Sequence, residues 1–306
     1  MSLLEVEGLR VRLPAAGRML TVVDGVDYRV EQGEVFGVAG ESGSGKTMSM
    51  LALLGVLPDG AAVEGRVTFD GRDLAMVFQD PMTSLHPMLT IGRQLTEHVR
   101  LHLGFDRRAA ESRALELLEQ VRIPDGSEAL RAYPHQFSGG MRQRIAIAIA
   151  LACRPKLLIA DEPTTALDVT VQAGILRLLD RLRRENDLAV ILITHDLGVM
   201  SAIADRVSIF YAGRVVESGS RADVLRLPRH PYTRALLDAL PHPELRGNQP
   251  LVAIPGSPPS PGNIPPGCAF HPRCAFARDD CRLHVPELVA RNGRALACPV
   301  DPFAAE

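Results

Sequence analysis

Residues 35–47 read VFGVAGESGSGKT, an apolar stretch followed by a glycine-rich loop and the start of a helical pattern. A strand that breaks into glycines and then enters a helix directs several backbone N–H groups at one point, where they can hold a polyphosphate. Lys46 is placed to reach the β- and γ-phosphates, and the Thr47 hydroxyl can coordinate Mg²⁺. The alternative is a glycine-rich turn with a helix cap, but the flanking strand and helix favour a nucleoside triphosphate site. That site comprises Gly40, Ser42, Gly43, Ser44, Gly45, Lys46 and Thr47.

The composition limits the class of protein. The chain has 306 residues, enough for one large domain or about two of average size. Its net charge is -2 and its pI about 6.5, so no basic field indicates a nucleic-acid partner. The longest uncharged apolar runs, 145–153 and 188–194, are well short of the roughly 18 residues that span a bilayer. The first residues have no basic region followed by an apolar core. We expect a soluble, cytosolic protein whose membrane role, if it has one, comes through a partner.

The pattern along the chain predicts an α/β fold. Strands are expected at 3–7, 20–30, 34–39, 65–69, 75–79, 156–160, 188–194, 206–211 and 214–217. Helical periodicity covers 46–56, 91–103, 107–122, 139–152, 169–185 and 196–203. Strands that alternate with helices imply a mostly parallel sheet covered on both faces. After about residue 240 many prolines exclude long regular elements, so this end is expected to be irregular.

Two acids follow a buried strand at residues 157–163, which read LLIADEP. This arrangement puts carboxylates at the C-terminal edge of the sheet, where the phosphate loop is also expected. Asp161 is suited to hold Mg²⁺ through water, and Glu162 to polarise the attacking water. Alone, such a run is more often a strand and a polar turn. The glycine loop in the same chain favours the functional interpretation.

Three further motifs add to the site. Residues 138–144 read SGGMRQR and open a helix with a serine cap and two glycines, a second anion-binding N-terminus. Gln79 ends a strand with an amide that could contact metal and water, and His195 lies just past the strand at 188–194. Each motif is weak by itself, since a lone histidine at a strand end is more often structural.

In this order the motifs resemble those of the ATP-binding cassette (ABC) ATPase family, across residues 1 to about 225. The resemblance implies a P-loop NTPase fold with a RecA-like parallel sheet, a small antiparallel β subdomain and a helical signature subdomain. It also implies that two cassettes pack head to tail around two ATP molecules. Ser138, Gly139 and Gly140 would then contact the ATP held by the other subunit. Gln79 would bind Mg²⁺ and face the membrane subunits, and His195 would sense the γ-phosphate.

The C-terminal part is similar to the extension of the oligopeptide/dipeptide importer ATPases, which nickel importers share. The similarity is carried by His230-Pro231-Tyr232-Thr233 and by LLDALP at 236–241. It implies a cassette at 1–227 and an extension at 228–306. Implied partners are two membrane permease subunits, a second and non-identical ABC ATPase, and an extracytoplasmic solute-binding protein. The chain would then hydrolyse ATP on the cytoplasmic side of the plasma membrane to power uptake of di- or oligopeptides.

Other functions stay open at this point. The solute could be nickel or another small molecule, because the cassette never touches it. A non-transport ABC ATPase, such as a DNA-repair or ribosome-associated factor, usually has two cassettes, a long coiled coil or basic patches, and none of these is evident here. Exporter ATPases lack the His-Pro-Tyr extension.

Two departures from the subfamily are visible. The segment between Asp70 and Gln79 is shorter than expected by about one helix, and Leu13 replaces the aromatic residue that often stacks on adenine. The aliphatic side chain gives up a stacking increment of roughly 1 kcal/mol.

The cysteines give an independent signal. Cys153 closes an apolar helix and is expected to be a buried small hydrophobe. The other four, Cys268, Cys274, Cys281 and Cys298, cluster near the C-terminus. Cytosolic chains rarely use disulfides, so metal ligation is preferred, by Zn²⁺ or by an iron–sulfur cluster. Resemblance to peptide-importer ATPases that carry a [4Fe–4S] cluster favours the cluster over zinc; unligated thiols or a late disulfide are the alternative.

Overall fold

The computed structural model describes residues 2–15, 17–71, 74–80, 84–165, 167–240 and 253–304. The chain divides into two compact units. The first comprises residues 31–34 and 70–193, and the second comprises residues 2–30, 35–69 and 194–306. The domain boundary expected after residue 227 stays a prediction.

The described strands, in chain order, are β1 (Ser2–Ala15), β2 (Arg18–Glu31), β3 (Val35–Ala39), β4 (Ala62–Phe69), β5 (Leu74–Val77), β6 (Leu157–Asp161), β7 (Ala189–Thr194), β8 (Arg206–Tyr211), β9 (Arg214–Ser220), β10 (Val289–Arg291) and β11 (Arg294–Leu296). The described helices are α1 (Lys46–Leu54), α2 (Ile91–Leu103), α3 (Arg107–Gln120), α4 (Gly126–Ala129), α5 (Gly139–Ala150), α6 (Val169–Asn186), α7 (Leu197–Ile203), α8 (Arg221–Arg226), α9 (Pro231–Asp238) and α10 (Asp280–Leu283). Single 3₁₀ turns lie at Pro134–Gln136 and His271–Arg273.

In the first unit, β5, β6 and β7 are parallel neighbours in that order. Strands β6 and β7 are buried along their whole length, as expected for parallel strands covered on both faces. Because the three strands are parallel, their carboxyl ends share one edge. Gln79, which follows β5, and Glu162, which follows β6, are therefore brought toward the same place.

The helices of the first unit begin where the sequence supplies caps. Thr90, Asp106, Ser138 and Asp168 precede α2, α3, α5 and α6, and each side chain accepts a hydrogen bond from the backbone N–H three residues later. Such a cap satisfies one of the free donors at a helix N-terminus and contributes about 1 kcal/mol. The caps explain why the predicted starts at 91, 107, 139 and 169 agree with the structure.

The second unit contains two sheet regions. Strand β3 is parallel to β8, with Ala39 opposite Ile209, and the order continues antiparallel as β8-β9-β11-β10. A separate three-stranded sheet has the order β2-β1-β4, in which β1 and β4 are antiparallel. This smaller sheet is the antiparallel subdomain that the sequence predicts.

The C-terminal part contains more structure than expected. Strands β10 and β11 form a hairpin. Leu296 of β11 pairs with Glu217 of β9, so the hairpin adds two strands next to β9 in the sheet of the second unit. Its elements are short, in agreement with the expectation that prolines exclude long ones. Pro241, Pro243 and Pro250 lie outside the described residues, as does 72–73 in the shortened segment before Gln79. Within the described ranges, every helix is too short or too polar to span a lipid bilayer.

Candidate nucleotide site

The phosphate loop joins β3 to α1 and uses glycine where no other residue fits. Gly40 has a φ of 149°, and a Cβ there would lie 2.2 Å from the Phe210 carbonyl oxygen. Gly45 has a φ of 98°, and a Cβ there would lie 2.5 Å from the Val22 carbonyl oxygen. Both conformations are accessible mainly to glycine. The loop therefore lies close against neighbouring backbone, in a conformation that a side chain at either glycine would prevent.

Lys46 is buried within this loop, with only 6% of its surface exposed. Its Nζ donates to the carbonyl oxygens of Gly40, at 2.8 Å, and Glu41, at 2.9 Å, and lies 3.3 Å from the Ser44 Oγ. These hydrogen bonds hold the loop backbone close around the positively charged ammonium group of Lys46. This charge is placed at the N-terminus of α1, where the helix dipole also favours an anion.

The start of α1 suits a phosphate ligand. Its N-cap residue is Gly45, which has no side chain that could accept a hydrogen bond from the first turn. In the described structure, the N-terminus of α1 accordingly has no side-chain capping bond. The half-buried Thr47 is the second residue of the helix. A glycine cradle, a buried lysine and a hydroxyl together fit a nucleoside triphosphate with Mg²⁺.

Asp161 and Glu162 lie at the carboxyl end of β6 in the first unit. Asp161 is 5% exposed and is paired in register with Ile193 of β7. Glu162 adopts a φ of 45°, in the left-handed region, and its N–H donates to the Ile193 carbonyl oxygen at 2.9 Å. A glutamate in this region carries a conformational cost of roughly 1 kcal/mol, which is typical of functional sites.

Gln79 and Glu162 meet directly in the first unit. The Gln79 Nε2 donates to the Glu162 Oε2 at 2.9 Å, and the Thr165 Oγ1 donates to the same oxygen at 2.9 Å. The sequence predicted functional roles for Gln79 and Glu162, and the structure joins them by a hydrogen bond. Sequence reasoning missed Thr165; a hydroxyl three residues after the acid was the available signal.

Ser138 caps α5 and is exposed, so the start of this helix is open to solvent in the single chain. Gly140 is needed for packing, because a Cβ there would lie 2.5 Å from the Val171 Cγ1 of α6. Gly139 has more room, its nearest side-chain neighbour being Leu167 at 3.5 Å. The second predicted anion-binding segment, residues 138–140, is thus the exposed N-terminus of α5, which packs against α6 at Gly140.

His195 belongs to the second unit, directly after the end of β7, and its side chain is exposed. The next residue, Asp196, caps α7 by accepting from the N–H groups of Gly198 and Val199. Asp196 also donates its N–H to the Thr194 Oγ1 at 3.0 Å. The turn that carries the histidine is therefore fixed by its two neighbours.

The His-Pro-Tyr motif is anchored on a buried carboxylate. Glu217, on β9, is fully buried and accepts from the N–H groups of Arg229, at 2.9 Å, and His230, at 3.1 Å. Arg294 of the hairpin forms an ion pair with the same carboxylate. Burial lowers the pKa of His230 to about 3, so its neutral ring accepts from the N–H of Tyr232 and caps α9.

The four C-terminal cysteines line one small cavity of the second unit, together with Phe270 and His271. In the part of the chain that the structure describes, no set of three or more His, Cys, Asp or Glu side chains is arranged to hold a metal ion. Burial raises the pKa of Cys268 to about 11, and burial also raises the pKa of Cys274 and of Cys298. Four thiols at one cavity are consistent with the predicted clustering. The expected metal itself stays a prediction.

Fold and phosphate loop together define an ATP-binding cassette of the ABC class. A family model described as ABC transporter matches residues 23–165. A second, described as the oligopeptide/dipeptide transporter C-terminal region, matches residues 216–281. Among solved structures, the cassette MJ0796, a dimer in a post-hydrolysis state bound to ADP and Pi, aligns with a TM-score of 0.61 and 27% identity, covering 71% of this chain and 98% of that one.

The curated relatives are similar over almost the whole chain. The oligopeptide transport ATP-binding protein OppD of Haemophilus influenzae is 46% identical over 307 residues, covering 95% of this chain and 94% of the relative. The dipeptide transport ATP-binding protein DppD of Escherichia coli K12 is 45% identical over 321 residues, covering 98% of each. The chain therefore belongs to the family of oligopeptide and dipeptide transporter ATP-binding subunits, as its motifs predicted.

Proposed function

We propose that this protein hydrolyses ATP to power the import of di- and oligopeptides across the plasma membrane. The observation that carries the proposal is the near full-length similarity to relatives named for oligopeptide and dipeptide transport, which includes the C-terminal region of that branch. The glycines of the phosphate loop and the buried Lys46 support ATP binding independently of the similarity to these relatives.

Different residues of this chain bind the phosphates, hold the metal ion and orient the attacking water. Residues 40–47 bind the phosphates through loop amides and Lys46. Thr47, Gln79 and Asp161 would hold Mg²⁺, which would supply positive charge against the phosphates. Glu162, fixed by its bonds to Gln79 and Thr165, accepts a hydrogen bond from the attacking water and orients it. Holding the carboxylate in one position reduces the reorganisation that the reaction requires.

The remaining site residues act at the dimer and near the γ-phosphate. Ser138, Gly139 and Gly140 bind the ATP of a second cassette, which the exposure of Ser138 and the dimeric state of a related cassette support. His195 contacts the γ-phosphate. One loop and one Mg²⁺ leave the triphosphate under-neutralised, so closure on a second set of donors depends on ATP. The second cassette is a different chain.

Two permease subunits and an extracytoplasmic solute-binding protein complete the transporter, and this chain binds it from the cytoplasmic side. The test is to purify the four-subunit assembly, reconstitute it in vesicles and add the solute-binding protein. Di- and oligopeptides are expected to stimulate ATP hydrolysis severalfold and to accumulate in vesicles that hold ATP on the cassette side. The assembly with Lys46→Ala is the control. Stimulation by nickel and not by peptides, or full activity of the isolated monomer, would contradict the proposal.

We also propose that Cys268, Cys274, Cys281 and Cys298 hold a [4Fe–4S] cluster. Their shared cavity supports a common ligand. Burial raises the pKa of Cys268, Cys274 and Cys298, so a thiolate at these three positions requires a cationic partner. Zinc needs all its ligands within about 2.3 Å of one point, whereas a cubane gives each thiolate its own iron. The resemblance to peptide-importer ATPases that carry a [4Fe–4S] cluster favours the cluster over zinc.

Anaerobically purified protein is expected to be brown and to contain about four irons per chain. Cys274→Ser is expected to remove the colour and the iron, and to speed proteolysis after about residue 240, because metal binding contributes folding free energy. Cys153→Ser, in the first unit, is the matched control and should keep both. Metal analysis decides the outcome: stoichiometric zinc without iron would indicate a zinc site, and absence of both metals would count against the proposal.

A further inference from the structure

One residue of the phosphate loop is held by the C-terminal part of the chain. The Glu41 carboxylate receives two hydrogen bonds from Arg273, Nη1 to Oε2 at 2.7 Å and Nη2 to Oε1 at 2.9 Å. The Glu41 N–H donates to the Tyr232 hydroxyl oxygen at 2.8 Å. Its carbonyl oxygen accepts from Lys46. All three polar groups of Glu41 are thus engaged, two of them by residues about 190 and 230 positions further along the chain.

The Arg273 side chain is fixed from several sides. It is 5% exposed, and its Nε donates to the Pro255 carbonyl oxygen at 2.8 Å. Its guanidinium lies 5.9 Å from the Tyr211 ring centroid and 5.8 Å from that of Phe270. The hydrogen bonds to Glu41 raise the pKa of Arg273, so it stays charged. A two-point arginine–carboxylate pair of this kind is specific in geometry as well as in charge.

Tyr232 reaches the loop from an equally well-packed position. Its side chain is fully buried, with its ring 4.5 Å from that of Tyr211 and 5.3 Å from that of Phe270. Burial raises its pKa, so the hydroxyl stays neutral and can accept the Glu41 N–H. The buried Glu217 and the His230 cap fix the start of α9 and therefore the tyrosine.

The charge of Glu41 explains why such a pair is useful. A carboxylate within a phosphate-binding loop repels a polyphosphate, and the repulsion grows with the number of phosphate charges. The two-point pair with Arg273 neutralises the carboxylate and also fixes where its backbone lies. Removing only the arginine leaves a partly buried, uncompensated negative charge beside the nucleotide.

We propose that Arg273 and Tyr232 are positioning residues for ATP binding, through which the C-terminal extension sets the charge and conformation of the phosphate loop. The proposal rests on the proposed function, since it takes the loop to bind ATP. Arg273 ends the short turn His271–Arg273, and Cys274 follows it at once. The turn between the first two clustered cysteines therefore carries the side chain that holds the loop.

The test measures ATP and ADP affinity of the full chain by titration calorimetry for Arg273→Met, Glu41→Gln and the double variant. Arg273→Met is expected to weaken ATP binding about tenfold, and ADP binding less, because ATP carries more negative charge. Adding Glu41→Gln should recover most of the loss, since it removes the unpaired carboxylate. Tyr232→Phe, which removes one acceptor, should weaken binding of both nucleotides by a few fold.

Controls separate positioning from general destabilisation. Arg234→Met removes an exposed arginine that pairs with Asp238 on α9 and should leave affinity unchanged. Should Arg273→Met not fold, Arg273→Lys keeps the charge but not the two-point contact, and an intermediate loss is expected. Affinity of Arg273→Met within about twofold of the unmodified chain, or a loss that Glu41→Gln does not recover, would overturn the inference. Failure of the unmodified chain to bind ATP would instead refute the proposed function.

Discussion

Replacing Glu162 with glutamine is expected to lower ATP hydrolysis at least about a hundredfold, with ATP binding kept. Gln79 and Thr165 both donate to Oε2 of Glu162, and the amide oxygen of glutamine can take the place of this atom and accept from both, so the strand end and its left-handed turn should survive. The variant loses the negative charge that we propose polarises the attacking water. Steady-state phosphate release and nucleotide titration, on the same preparation, measure the two quantities separately.

The design has to account for a second cassette with its own site. Glu162→Gln should therefore be assayed in an assembly whose other cassette is already inactive, so that residual turnover belongs to this chain. Glu185→Gln is the matched control, because Glu185 is an exposed acid of the first unit whose carboxylate forms an ion pair with Arg181. The closed, ATP-bound dimer should accumulate with Glu162→Gln and not with the control. Normal turnover of Glu162→Gln would refute the assignment.

The sequence predicted the helices well because the residues that determine where each helix begins lie next to its first turn. Capping residues such as Thr90 and Asp168 stand directly before apolar periodicity, and the structure shows these side chains accepting the capping bonds. Strands were harder to delimit. The predicted strands 3–7 and 20–30 are parts of β1 and β2. In β1 the exposed Glu7 and Gly8 interrupt the apolar pattern, whereas pairing with β4 continues from Arg10 to Arg12.

The β10–β11 hairpin was not predicted, although a signal for it was present. Asn292 and Gly293 both have positive φ, 52° and 77°, and Asn-Gly between short strands is a strong indication of a tight hairpin turn. Three-residue strands carry too little periodicity to be recognised alone. Their stability comes from pairing with β9 and from the ion pair of Arg294 with Glu217, which are tertiary contacts.

The sequence indicates the parts of the candidate site whose residues are contiguous, and it does not reveal contacts between residues that are distant in the chain. The phosphate loop and the acids after β6 are short motifs whose chemistry follows from residue type and order. Nothing local connects Glu41 to Arg273, and their pairing depends on how the second unit folds. His230 and Tyr232 marked the family in the sequence, but only the structure shows the tyrosine hydroxyl accepting a loop N–H.

Lys46→Ala is expected to weaken ATP binding by about a hundredfold and to abolish hydrolysis, because charge-assisted hydrogen bonds contribute about 1.5–3 kcal/mol each. The substitution removes the charge that we propose binds the phosphates, and it also leaves the carbonyl oxygens of Gly40 and Glu41 without the ammonium group to which they are bonded. The chain has only two lysines, so Lys156→Ala is a complete internal control. Lys156 is exposed before β6 and should be neutral in both assays. Calorimetric titration with ATP, with urea unfolding to confirm the fold, measures the effect. Equal affinities for the two variants would show that Lys46 does not bind the phosphates, and that the loop conformation alone holds the nucleotide.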